Sequence, residues 1–168
     1  HPTAFLFLLD QSASMKDAFG GAKEKGDAAP SKARVLVDTV NRVLQNLVLR
    51  CAKAEGVRDY FHVGVIGYGS RVQPLIQPTD TVEAATDLIP ISHLAERPKR
   101  MEERVKTVTM SDGSTKEQRV KVPVWFDPQA KNGTPMCQAL DLAAQYVRDW
   151  IDHHPSGFPP VVDRKSVV

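Results

Sequence analysis

Ala4-Phe5-Leu6-Phe7-Leu8-Leu9-Asp10-Gln11-Ser12-Ala13-Ser14 sets an unbroken apolar run directly against a carboxylate and two hydroxyls. An apolar run without alternation, closed by a polar turn, is the pattern of a strand buried on both faces. Asp10 therefore falls at the carboxyl end of that strand, which is where open α/β sheets bind ligands. The spacing Asp10-x-Ser12-x-Ser14 puts three oxygen donors on one short turn, a set suited to a hard cation such as Mg²⁺.

Outward from this stretch, residues 19–27 are rich in glycine and charge and carry no hydrophobic period, as a loop does. Gly21 and Gly26 have the spacing of a phosphate-binding loop, but Asp27-Ala28 stands where Lys-Ser/Thr would contact phosphate and Mg²⁺, so nucleotide binding is not expected. Ser31 then caps a long helix whose apolar residues, from Ala33 to Cys51, recur at steps of three and four. Residues 60–68 and 72–76 read as strands joined through Gly69-Ser70 in a hairpin. Residues 81–94 read as a short helix followed by a turn at Pro90.

An inserted hairpin is expected over 98–125, with arms 104–110 and 118–126 around Ser111-Asp112-Gly113-Ser114. Val120, Val122, Val124 and Phe126 share one side of its second arm, and Arg119, Lys121, Pro123 and Trp125 the other. Pro123 cannot donate a ladder hydrogen bond, which marks an edge strand. The hairpin is either a solvated element with one packed face or a specificity element beside the site. It leads into Asn132-Gly133-Thr134-Pro135, with Thr134 as N-cap and Pro135 as first residue of a helix that ends near His153-His154. Residues 158–162 begin a last strand.

The remaining titratable residues read as structural. His62 lies alone inside a strand, and His153 and His154 sit at a helix C-terminus, where the macrodipole favours them. Cys51 and Cys137 fall inside helices without a CxxC pair, as buried free thiols in a reducing compartment do.

The 168 residues suffice for one globular domain, and a net charge of +2 with interspersed signs indicates no nucleic-acid partner. No run approaches the roughly 18 apolar residues a membrane helix requires, so no membrane partner is expected either. The free thiols point to the cytoplasm. His1 opens the chain where Met would stand, with a strand almost at once, so an upstream segment is expected to be missing.

Two loops, Asp10-x-Ser12-x-Ser14 and Gly133-Thr134-Pro135-Met136-x-x-Ala139-Leu140, occur in the order and context of the von Willebrand factor A-type (vWA) domain, which the chain resembles. Gly64-Val65-Ile66-Gly67-Tyr68 between them is similar to that family's second strand. The resemblance covers residues 3–162, apart from the glycine-rich loop and the 98–125 insertion, and is bacterial in look. It implies an α/β Rossmann-like three-layer fold, a mostly parallel central sheet flanked by helices. It also implies a metal-ion-dependent adhesion site (MIDAS) for Mg²⁺ or Mn²⁺, with Ser12 and Ser14 as direct ligands, Thr134 direct or through water, and Asp10 mainly through water. Neutral hydroxyls leave much of the ion's charge uncompensated, so an acidic residue of a partner protein would complete the shell, and the module would be a binder rather than an enzyme.

The family takes a further aspartate from a loop several residues beyond the position of Val162, and Asp163 comes too early for that part. The later strands and helices of the fold, and with them part of the site, are therefore expected to be missing, so the chain itself is expected to bind Mg²⁺ poorly. Residues 163–168 do not continue the apolar pattern; GATCGGAAGAGCGTCGTG would encode them and resembles a sequencing adapter, which makes the tail a foreign appendage to a truncated domain over 1–162.

Two other readings compete. Asp10 could be the nucleophile of a Mg²⁺-dependent phosphotransferase or phosphatase. Haloacid-dehalogenase-like phosphatases, however, place a second aspartate where Ser12 stands, and neither serine has the Gly-x-Ser-x-Gly elbow of a serine hydrolase. In the plainest reading, Asp10, Ser12 and Ser14 only cap the segment that follows.

Overall fold

The computed structural model describes residues 1–20, 29–77, 86–110 and 113–167. In chain order these form β1 (Thr3–Asp10), a 3₁₀ turn (Ala13–Lys16), α1 (Lys32–Cys51), β2 (Ala52–Lys53), β3 (Gly56–Val57), β4 (Phe61–Tyr68), β5 (Val72–Pro74), β6 (Ile89–Pro90), α2 (Ile91–Glu96), β7 (Arg100–Thr109), β8 (Thr115–Val124), α3 (Met136–His153) and β9 (Phe158–Lys165).

The main sheet runs β5-β4-β1-β9, with β6 also paired to β4. Its middle is parallel: β1 pairs with β4 from Thr3↔Phe61 to Asp10↔Tyr68, and with β9 from Thr3↔Phe158 to Leu9↔Lys165. All the other pairings among the described residues, β4–β5, β4–β6, β2–β3 and β7–β8, are antiparallel. The mostly parallel, Rossmann-like three-layer vWA fold expected from the sequence is therefore corrected to a mixed α/β arrangement with mostly antiparallel pairings and three described helices. The physical reason is connection length. A parallel neighbour needs a crossover of a dozen or more residues, whereas the short links after β2, β4 and β7 can only turn the chain back on itself.

β1 is the centre of the molecule because both of its faces are covered. Ala4, Leu6 and Leu8 pack with Ile66 and Tyr68 of β4 and with Ala139, Ala143, Tyr146 and Trp150 of α3. Phe7 and Leu9 pack on the other side with Val63, Val65 and α1 residues Leu36, Val37, Val40 and Leu44. Each fully buried leucine of this strand is worth roughly 1.5–3 kcal/mol of hydrophobic stabilisation. α1 starts where its cap predicts: Ser31 Oγ accepts the Arg34 N–H at 3.2 Å. Asn41 interrupts its apolar stripe for a reason. Its Oδ1 accepts the Trp125 N–H at 2.9 Å, while its Nδ2 donates to the carbonyls of Val37 and Phe126, tying the helix to the chain after β8.

The inserted hairpin forms a two-stranded sheet of its own, longer than expected at the start of each arm. Arg104 bonds Asp38 of α1 at 2.8 Å and so tethers it. Trp125 is not on its solvated side: it is buried beyond the end of β8, with Nε1 donating to the Leu94 carbonyl at 2.8 Å. Pro90 begins a helix rather than ending one, acting as N-cap of α2. The start of the expected 81–94 helix, most of the glycine-rich loop and Ser111-Asp112 lie outside the described residues. Cys51 is buried and free as expected, but Cys137 is exposed.

Candidate cation site at the end of the first strand

β1 ends through its own side chain. Gln11 N–H extends the ladder one step by donating to the Tyr68 carbonyl at 2.8 Å, and Asp10 Oδ1 then accepts the Ser12 N–H at 2.8 Å. This local turn takes the backbone out of the sheet. Met15 and Asp17 N–H groups donate to the Ser12 and Ser14 carbonyls, closing the 3₁₀ turn, and Met15, 1% exposed, pins it into the core against α1. The result holds Ser12 Oγ 3.1 Å from Ser14 Oγ. Asp10 and Ser12 are buried at 8% and 9% exposure, whereas Ser14 is open to solvent.

That oxygen pair suits a small divalent cation. Ligands at 2.0–2.1 Å in adjacent octahedral positions lie about 2.9 Å apart, close to the separation already present between the hydroxyls. Asp10 is committed on both oxygens, Oδ1 to the Ser12 N–H and Oδ2 to the Ser166 hydroxyl at 3.0 Å. A carboxylate so engaged orients the turn and reaches an ion through water more readily than directly.

The second loop arrives beside the first. Lys131 N–H donates to the Gln11 carbonyl at 2.7 Å. Thr134, however, is exposed and is not the N-cap of α3: Pro135 holds that place without a side-chain bond, and the Thr134 carbonyl accepts the Met136 N–H at 2.7 Å. The expected cap fails because the chain stays non-helical through Pro135, at φ −76°, ψ 63°, so the first helical residue is Met136. The Thr134 hydroxyl is thereby left out of the helix start. Among the described residues the two loops meet through backbone groups rather than through the four candidate ligands.

Several neighbours of the site were not read from the sequence. Gln11 is 4% exposed and its Nε2 has no hydrogen-bond partner among the described residues. Arg164 Nε donates to the Tyr68 hydroxyl at 2.9 Å, and Ser166 reaches Asp10. Both come from the tail read as a foreign appendage; β9 runs on through it to Lys165, because a strand ladder is made by backbone groups whatever the side chains. No signal in the sequence pointed to Ser166. Among the described residues, no group of three or more His, Cys, Asp and Glu side chains is placed to hold a metal.

The histidines lie at the opposite end of β4. Trp150 Nε1 donates to His62 Nδ1 at 3.0 Å, and His154 stacks on Trp150 with ring centroids 4.7 Å apart. Burial, and secondarily the nearby charge of His154, pushes the His62 pKa down to about 4. This is a structural cluster, as is the contact between His153 Nδ1 and the Asp149 carbonyl at the end of α3.

Neither a scan against protein-family models nor searches of curated proteins and of solved structures return a match. No helix among the described residues is long and apolar enough to cross a membrane.

Proposed function

We propose that this chain is a non-enzymatic, divalent-cation-dependent protein-binding module, of the kind its likeness to vWA sequences implies. Ser12 and Ser14 would hold Mg²⁺ or Mn²⁺, Asp10 would act through water, and Thr134 would come in from the second loop. The observation that carries the reading is the 3.1 Å separation of the two hydroxyls on a turn fixed by Asp10. With neutral donors around it the cation keeps charge to spare, which favours an acidic side chain of a partner protein as the remaining ligand.

The phosphotransferase alternative is less well supported, because a nucleophilic Asp10 needs a free, accessible oxygen and both are engaged in a buried setting. Loss of the free Mn²⁺ electron-spin-resonance signal on titration with the chain tests the proposal. Weak binding is expected for the wild type, displaced by Mg²⁺ and abolished in Ser12→Ala/Ser14→Ala. No binding, or binding unchanged in the double variant, overturns it, and phosphatase turnover lost in Asp10→Asn would favour the enzyme instead.

A further inference from the structure

The two loops of the candidate site touch where neither has a side chain. A Cβ added at Gly69, just after β4, would lie 2.7 Å from the Gln11 carbonyl oxygen and 3.1 Å from its carbon. A Cβ added at Gly133 would lie 2.8 Å from the Gly69 carbonyl oxygen. Gly133 also has φ +98°, in the region that favours glycine. The obstructing atoms are backbone in both cases, so no rotamer change can make room. The same junction carries the Lys131 N–H donating to the Gln11 carbonyl. Gln11, Gly69 and Gly133 thus form a closely packed backbone stack, with the strand turn of Ser12 at one end and Thr134 at the other.

We propose that Gly69 and Gly133 are positioning residues of the candidate cation site, setting the distance between Thr134 and the Ser12–Ser14 pair through the Gln11 carbonyl. This rests on the cation reading above. It assigns a role to residues that donate no ligand, and it ties the loop that carries the exposed Thr134 to the buried strand end. At the strand end the Thr134 loop is held by this stack and the Lys131 hydrogen bond, with Ala130 packed on the core before it, whereas the Ser12–Ser14 turn is held from within by Asp10 and Met15. Widening the stack should therefore move Thr134 and leave the serines in place.

The test uses the full chain and Mn²⁺ as probe, mapping paramagnetic broadening of backbone amide resonances, which falls with the sixth power of distance from the ion. In Gly69→Ala, broadening at Thr134 is expected to drop several-fold relative to that at Ser12 and Ser14. Without any metal, exchange of the Lys131 amide should quicken about tenfold or more. Gly133→Ala should do the same from the exposed side of the stack, should Gly69→Ala fail to fold. Gly64→Ala is the control for plain destabilisation, since it crowds the same strand against Leu88 and Leu6 in the core. It should leave the Thr134 ratio unchanged.

Wild-type broadening at the serines together with an unchanged ratio and unchanged Lys131 exchange in the loop-glycine variants overturns the positioning role alone. An equal change in Gly64→Ala overturns it as well. A wild type that shows no broadening at Ser12 and Ser14 instead overturns the cation reading, and the role assigned to the glycines falls with it.

Discussion

The loop that follows β1 and the loop that leads into α3 meet at the same end of the sheet, yet they are held by different means. The first is fixed from within: Asp10 bonds the Ser12 amide, Tyr68 accepts from Gln11, and Met15 is sunk into the core. The second is exposed over residues 131–134 and held there by the Lys131 hydrogen bond and the close backbone contacts of Gly69 and Gly133, with Ala130 packed on the core before them. A site shared between such loops has a rigid half and an adjustable half. Substitutions in the first should cost stability and function together, and those in the second should separate the two.

The largest expected effect is at Met15. Truncation to alanine removes a fully buried anchor and should destabilise the chain by about 2–5 kcal/mol in urea unfolding. A loss below about 1 kcal/mol would show that the first loop is not core-anchored. Asp10→Ala deletes the acceptor of the Ser12 amide and should cost about 1–3 kcal/mol together with Mn²⁺ binding. Retention of full stability would erase the contrast between the loops.

Acid should act elsewhere. The His62 pKa, lowered to about 4 from its ordinary 6.5, lies below that of the unfolded chain, so the unfolded state binds the extra proton first. The stabilisation is thus complete above pH 6.5 and declines as pH falls through 6.5 towards 4. Solvent screening at this partly exposed ring reduces the loss to about 1–2 kcal/mol. Asp59 opposes the shift while His93 and His154 reinforce it, and Glu102 and Asp127, whose ion pairs lower their pKa values, add losses only further into acid. Urea midpoints between pH 7 and 4.5 should fall in the wild type and flatten in His62→Gln. The Lys131 amide should keep its protection over this range, because the cluster lies at the far end of β4.

Thr134→Ala should be the smallest change in stability, within about 0.5 kcal/mol, since its side chain is exposed and caps nothing. It should still weaken Mn²⁺ binding. A large stability loss would mean that the second loop is load-sharing in the fold rather than an adjustable half.

What could be read from the sequence was local. The apolar run of β1, the Ser31 cap and the Asp10 turn are all written in neighbouring residues and stand in the structure where they were expected. Strand direction was legible at the two expected hairpins, β4–β5 and β7–β8, but not for the sheet as a whole, because an apolar run carries no record of its neighbour's orientation. Trp125 defeated an alternation that ends at Val124, because its amide goes to Asn41 on a distant helix. Residues 163–165 continue β9 although the apolar pattern stops at Val162, because backbone pairing with β1 is indifferent to a charged side chain. At the site, Asp10, Ser12 and Ser14 were legible as one turn. Gly69 was not, since its importance arises only when the Gln11 carbonyl is brought against it.

The central claim, that a hydroxyl pair pinned by Asp10 takes a divalent cation, is tested most directly by anomalous diffraction from crystals of the chain soaked in Mn²⁺. The expected result is a peak about 2.2 Å from both Ser12 Oγ and Ser14 Oγ, with Asp10 at water-mediated distance. A peak confined to another place, such as the His62–His154 cluster, or no peak at the serines at a saturating Mn²⁺ concentration, would contradict it.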